Sequence, residues 1–326
     1  MTRMMINMLL LLMACGVLAF LGVTRGTLPI SASQLWALLN GEAARNVQLI
    51  VLEWRLPRVM MALLIGAALG VSGAIFQSLL RNPLGSPDIL GFNTGAYSGV
   101  LVALVLFRQN MEGMTLAALA GGLLTAGVVW LFSWRNGVET FRLIIVGISV
   151  RALLMALNSW LIISASLEAA LSAGLWSAGS LNGMTWAKTT PVITVLLLAL
   201  LATGMLARRM RLLEMGDDTA CALGVPVERS RVMLMLTGVI LTAASTALVG
   251  PISFIALLAP QIARRLSGGT KGALSLAALC GALLLTAADY AAQHFFLPYQ
   301  LPVGVITVSL GGLYLIALLV REARRQ

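Results

Sequence analysis

The side chains able to do chemistry are few and scattered. The 326 residues include 12 Asp and Glu, one histidine and three cysteines. His294 is alone, so no His-based metal site can form, and Cys15, Cys221 and Cys280 make no CxxC pair. No nucleophile–base triad or carboxylate pair stands out. Gly268-Gly269-Thr270-Lys271-Gly272 sets a lysine among glycines but lacks the spacing of a phosphate-binding loop. No catalytic or metal-ligating residues are expected, and any ATP hydrolysis would fall to another subunit. The chemical interest lies in charge at unusual places. Arg151 sits deep in an apolar run, where an ionised side chain costs on the order of 2.5–3.5 kcal/mol in lipid. Asn158 follows seven residues later, on nearly the same helical face. Arg55 and Arg58 are three apart beside Trp54 and can share a face. The 208–231 stretch sets Leu212, Leu213, Met215 and Leu223 among arginines and acids. Within it Asp217, Asp218 or Thr219 can cap a short helix that stops at Gly224. Such a helix suits a groove on a partner or the membrane surface equally well.

The elements that position these residues are apolar. Residues AVILMFWYC make up 59% of the chain and charged residues only 10%, too few to cover a soluble domain. Mean hydropathy is +0.95. At roughly 20 residues per crossing this composition matches nine or ten transmembrane helices. Apolar runs fall near 5–23, 59–79, 93–107, 114–132, 141–163, 191–207, 231–249, 252–265, 273–293 and 304–320, the eighth short enough to be tilted or broken. Turn signals separate them at Asn82-Pro83-Leu84-Gly85-Ser86-Pro87, Asn136-Gly137 and Ser267-Gly268-Gly269. No long polar stretch remains for a second domain, so residues 1–326 read as one membrane domain. Arg3 before an apolar run resembles a signal peptide, and Leu12-Met13-Ala14-Cys15 a lipoprotein box. The run continues to about Val23, however, so a first helix is expected there.

The net charge of +10 follows the membrane rather than nucleic acid. With both termini cytoplasmic, Lys and Arg divide fifteen to six in favour of the cytoplasmic segments, which sets the orientation and requires an even number of spans. Ten fits. The outer loops 24–58 and 164–190 are long. Within them Ser33–Leu39, capped by Ser31 or Ser33, and Leu167–Trp176 can form short interfacial helices. Small residues such as Gly66, Gly70 and Gly73 predict close helix contacts.

Over its full length the chain resembles the FecCD-type permeases of ABC importers for iron-siderophores, haem and vitamin B12. The resemblance rests on Trp54-Arg55-Leu56-Pro57-Arg58, Gly66-Ala67-Ala68-Leu69-Gly70-Val71-Ser72-Gly73, Asn82-Pro83-Leu84, Gly91-Phe92-Asn93-Thr94-Gly95-Ala96, Arg142-Leu143-Ile144-Ile145-Val146-Gly147, Leu223-Gly224-Val225 and Leu301-Pro302-Val303-Gly304. It departs at Gln261, where the family often has histidine, at Gln300, where glutamate is common, and at Gln293, where some members carry arginine. These departures suggest an asymmetric pair with a sibling subunit.

The resemblance implies a bacterial inner-membrane importer of two permeases, two ATPases and a periplasmic siderophore-binding protein. The implied cargo is a ferric enterobactin-like catecholate complex, and ATP is used by the partner subunits with no cofactor bound here. It also implies site roles. Leu213, Met215, Gly216, Asp217, Asp218, Ala220, Leu223, Gly224 and Val225 form the ATPase-coupling helix. Arg55 and Arg58 meet acids of the binding protein, although an interfacial anchor beside Trp54 is the plainer reading. Asn82, Leu84 and Thr140 lie at the cytoplasmic gate, against a simple tight turn. Arg151 and Asn158 line the path, where Arg151 offsets the charge of an anionic cargo, against an arginine bonded to a neighbouring helix. Other functions remain open. One is a homodimeric vitamin B12 or haem importer. Another is an ion-driven secondary transporter, for which Asp289 is the one clear intramembrane carboxylate. A third is an assembly protein.

Overall fold

The structure is a computed structural model that describes residues 3–26, 28–107, 111–134, 140–268, 273–296 and 299–323. The expected turn at Asn136-Gly137 and the glycine-flanked Lys271 lie outside these residues. Fourteen α-helices follow in order: α1 Arg3–Thr24, α2 Ala32–Leu39, α3 Arg45–Gln48, α4 Leu56–Leu79, α5 Phe92–Val105, α6 Met111–Ser133, α7 Thr140–Ser164, α8 Leu167–Ser177, α9 Trp186–Glu214, α10 Asp217–Ala222, α11 Val227–Val249, α12 Ile255–Ser267, α13 Ala273–His294 and α14 Val303–Ala323. A π-helical turn, Leu49–Arg55, joins α3 to α4.

Each expected apolar run contains a helix. Among the described residues, seven helical segments are long and apolar enough to cross a membrane. The other three expected spans, α5, α12 and the apolar part of α14, are shorter. The eighth run starts as a helix only at Ile255, because Gly250 and Phe254 both take positive φ, at 78° and 71°. Both interfacial helices form. Ser31 caps α2 in a reciprocal box with Gln34, and Ser166 caps α8.

α4 is the hub, because its small residues let other helices reach its backbone. A Cβ at Gly66 or Gly70 would strike the carbonyl oxygens of Gly281 or Ala277 on α13, and one at Gly73 would strike that of Ala256 on α12. Ser72 adds a bond to the Gly238 carbonyl at 2.8 Å and meets the Thr242 hydroxyl at 2.7 Å, which ties α4 to α11. In lipid, packing and such interhelical bonds hold helices together, since burial from water is already complete. Phe76, Phe92, Val129, Leu143 and Val239 form a second core joining α4 and α11 to α5, α6 and α7. Residues of α7 and α14 are largely exposed: Ile148, Met155 and Trp160 on α7, and Val308, Leu313 and Ile316 on α14.

Candidate functional site

Four clusters hold the chemically distinctive side chains, two near the basic ends of the helices, one midway along α7 and one at the opposite end.

The first is built on α10. The expected side-chain cap is absent. Gly216 is the N-cap residue, with φ 109°, and the helix covers only Asp217–Ala222, so Leu213, Leu223 and Val225 lie outside it. The physical reason is that Asp217 is engaged elsewhere. Its carboxylate accepts from Arg81 Nη2 at 2.7 Å and from Arg231 Nη2 at 2.7 Å. The expected stop at Gly224 is present. Gly224 takes φ 79°, its N–H donates to the Cys221 carbonyl, and Val225 N–H donates to the Ala220 carbonyl, the Schellman arrangement. Leu213, Ala220 and Val225 are buried, while Met215, Asp218, Leu223 and Gly224 are exposed. One face of this small helix is therefore clamped to the protein, and the other is free.

The second cluster is the loop after α4. Its turn is also of Schellman type, with Asn82 N–H bonded to the Gln77 carbonyl and Arg81 N–H to that of Ser78. Arg81 occupies the position where glycine is usual, at φ 46°. Left-handed backbone costs a non-glycine residue roughly 1–2 kcal/mol, and the bond from Arg81 to Asp217 offsets part of that. Asn82 Oδ1 accepts from Leu84 N–H at 2.9 Å, and Leu84 itself is exposed. Thr140 Oγ1 donates to the Leu79 carbonyl at 3.3 Å, which brings the start of α7 to the end of α4. Gln261 on α12 holds the loop from behind. Its Nε2 donates to the Pro83 carbonyl at 3.0 Å, and its Oε1 accepts from the Tyr314 hydroxyl at 3.2 Å. Gln77 beside it donates to the Leu257 carbonyl and accepts from Arg264. Sequence spacing carried no signal for these links, which join residues more than 50 positions apart.

The third cluster surrounds Arg151. Its side chain is exposed in the middle of α7. Gly91, at φ 84°, packs against its Cα and Cβ. The half-buried Asp88 lies in the field of the Arg151 guanidinium, accepts from Phe254 N–H, and accepts from Asn93. Asn93 in turn accepts from the Thr246 hydroxyl at 2.8 Å. Asn158 departs from the expected polar stripe. It is buried, and its Oδ1 finds no hydrogen-bond partner among the described residues. Nearby, Leu161 packs with Leu101 and Ala173, so α5 and α8 close over α7 at that end.

The fourth cluster is an open basin of about 580 Å³ lined by Arg25, Trp54, Arg55, Arg58, Asn182 and Gln293 among others. Arg55 and Arg58 do not act as a matched pair here. Arg55 donates to the Val23 and Leu28 carbonyls at 2.9 and 2.6 Å. Arg58 forms a two-pronged bridge to Asp289, with Nε–Oδ2 3.0 Å and Nη2–Oδ1 2.8 Å, and its Nη1 donates to Asn182 Oδ1 at 2.6 Å. Gln293 completes the group with a 2.8 Å bond to Asp289 Oδ2. The side chains of this ion pair are only 15% and 4% exposed. Asp289 is thus neutralised by Arg58, a poor arrangement for a carboxylate that must bind and release an ion.

Among the described residues no group of three or more His, Cys, Asp or Glu could hold a metal. Comparison with known proteins agrees with a transport subunit. The model of the FecCD transport family matches residues 11–321. The ferric enterobactin transport system permease FepG of Escherichia coli K12 is 64% identical over 324 residues, covering 99% of this chain and 98% of that protein. The hemin transport system permease HmuU of Yersinia pestis is 35% identical, covering 99% and 97%. A solved structure of a metal-chelate type ABC transporter in an inward-facing conformation superposes with a TM-score of 0.85 at 26% identity, covering 98% and 99%.

Proposed function

We propose, from the premise that this chain belongs to the FecCD transport family, that it is the membrane permease of an ATP-driven importer for a ferric catecholate siderophore of the enterobactin type. The 64% identity to a ferric enterobactin permease supports that cargo over haem, for which the permease relative is 35% identical. The structural observation that carries the reading is Arg151. A guanidinium exposed halfway along an apolar helix is costly in lipid, so it belongs in a protein-lined, wet space. The bare faces of α7 and α14 then meet a sibling permease, and Arg151 looks into the path between the two. There it lowers the electrostatic cost of passing an anionic iron complex.

In this reading the chain crosses the membrane ten times with both termini cytoplasmic. The shorter α5 and α12 are completed by the re-entrant segments 85–91 and 250–254, whose residues are buried or half-buried, as irregular backbone at membrane depth must be shielded by protein. The free face of α10 enters the groove of an ATPase subunit. The loop with Asn82 and Leu84, together with Thr140, closes the cytoplasmic end of the path. Arg55 and Arg58 form the floor of a basin that receives a periplasmic binding protein. ATP is consumed on the partner ATPases.

The test is uptake of ferric enterobactin in a deletion strain complemented with variants. Arg151→Lys keeps partial uptake and Arg151→Gln loses it, with equal protein in the membrane. Full uptake by Arg151→Gln overturns the path role. Normal ferric enterobactin uptake by the uncomplemented deletion strain overturns the cargo.

A further inference from the structure

At the basic end of the bundle lies a second cavity, about 660 Å³, bordered by Met215 ahead of α10 and by Arg264 behind the gate loop, with an arginine-rich wall that the transport roles leave unexplained. Arg208 and Arg211 at the end of α9 and Arg264 at the end of α12 line it. Its other walls include Ala74, Met210, Leu212 and Leu274, which are apolar, and Glu214. Three guanidinium groups thus face one carboxylate. Arg264 gives one bond to Gln77, which leaves most of its five N–H donors available.

The depth of this cavity matters. Trp186, whose Nε1 is bonded to the Leu52 carbonyl, opens α9 at the other side of the membrane. From Trp186 to Arg208 the helix rises about 33 Å at 1.5 Å per residue, close to the roughly 30 Å thickness of a hydrocarbon core. Arg208 and Arg211 therefore stand at headgroup level. Up the helix from them runs a bare apolar track of Leu197, Leu198, Leu201 and Met205, the last 84% exposed. Leu201 lies seven residues before Arg208, on almost the same face. The surface thus offers an acyl track leading into a cationic, partly apolar cup. A zwitterionic headgroup satisfies the cup less well than one with net negative charge.

We infer that this cavity is a binding site for the phosphate headgroup of an anionic phospholipid, with an acyl chain laid along α9. Basic pockets between helices at a cytoplasmic face bind acidic headgroups by such charge pairing. The inference rests on the proposed orientation, with this end of the bundle at the cytoplasmic face, and it stands whether or not the cargo assignment does.

The experiment uses the full chain with the subunits that copurify with it, and follows binding of palmitoyl-oleoyl phosphatidylglycerol by native mass spectrometry. Arg208→Gln/Arg211→Gln should weaken binding about 25-fold, on the scale of about 1 kcal/mol, or roughly five-fold, per arginine. Arg208→Lys/Arg211→Lys should retain most binding, which separates lost charge from lost folding. Arg45→Gln, at the start of α3 on the side of the membrane where α9 begins, should bind like the wild type. Phosphatidylcholine should not compete. Equal binding by the double glutamine variant overturns the site. So does competition by inorganic phosphate at low millimolar concentration, which indicates a free-anion site. Absence of bound lipid, with Ala273→Cys shielded from labelling by an ATPase subunit, assigns the cavity to that partner and also overturns it.

Discussion

Replacing Asp289 with asparagine separates two roles for Arg58. In the structure the carboxylate is 4% exposed and takes two bonds from Arg58 and one from Gln293. Asparagine keeps an acceptor but removes the charge, and Arg58, itself 15% exposed, is left unpaired. Removing one partner of a buried pair costs about 3–5 kcal/mol. The adjoining basin wets the Arg58 edge, so the low end, about 3 kcal/mol, applies. The bond from Arg58 to Asn182 survives and keeps the guanidinium near its place. Asp289→Asn and Arg58→Gln should therefore lower the melting temperature of the detergent-purified protein by similar amounts. Arg58→Gln/Asp289→Asn should recover part of the loss, because no lone charge remains. If docking of a binding protein is the main task of Arg58, the result differs. Arg58→Gln then loses binding-protein affinity at unchanged melting temperature, and Asp289→Asn has little effect on stability. That outcome refutes the clamp reasoning.

Three further outcomes follow from the geometry. Asp217→Asn removes the charge that two arginines hold, a loss of about 1–2 kcal/mol after allowing for its partial exposure. It should lower cargo moved per ATP hydrolysed in proteoliposomes, whereas Asp218→Asn on the free face should leave the α10 pose intact; identical transport per ATP in Asp217→Asn contradicts the clamp. Gly224 has open space around it but a left-handed φ of 79°, so Gly224→Arg meets no clash and strains the turn by roughly 1–2 kcal/mol; it should insert normally yet fail to copurify the ATPase, and normal copurification and uptake remove α10 as the coupling element. Gln261→Leu strands the Pro83 carbonyl and the Tyr314 hydroxyl, at about 1–3 kcal/mol for each group left unpaired. In a Cys221→Ser background, labelling of Leu84→Cys should depend on nucleotide state and lose that dependence with Gln261→Leu; constant labelling in both backgrounds excludes a gate at this loop.

Much of this protein was readable without coordinates because lipid imposes simple local rules. A span must be apolar along its whole length and must satisfy its own backbone, so hydropathy alone placed the helices. Capping is equally local. Ser31, one of the two caps the sequence offered for α2, and Gly224 at a helix stop lie within a few residues of what they terminate, while the Gln34 half of the box and the Ser166 cap of α8 came to light only in the structure. The same local reasoning failed for Asp217, a suitable cap by type and position, because a partner 136 residues away competes for its carboxylate. The break expected at the short eighth run is present, but only the structure places it at Phe254, whose left-handed backbone starts α12 at Ile255. Sequence by itself thus determined the membrane class, the family and the residues carrying unusual charge. Only the tertiary structure decided that Arg58 belongs to Asp289, that Gln261 joins Pro83 to Tyr314, and that Arg151 is exposed while Asn158 is buried. The physical reason is range. Periodicity and capping act over one or two helical turns, whereas side-chain partners across a helix bundle are set by which small residues allow which backbones to approach, as Gly66, Gly70 and Gly73 do for α12 and α13.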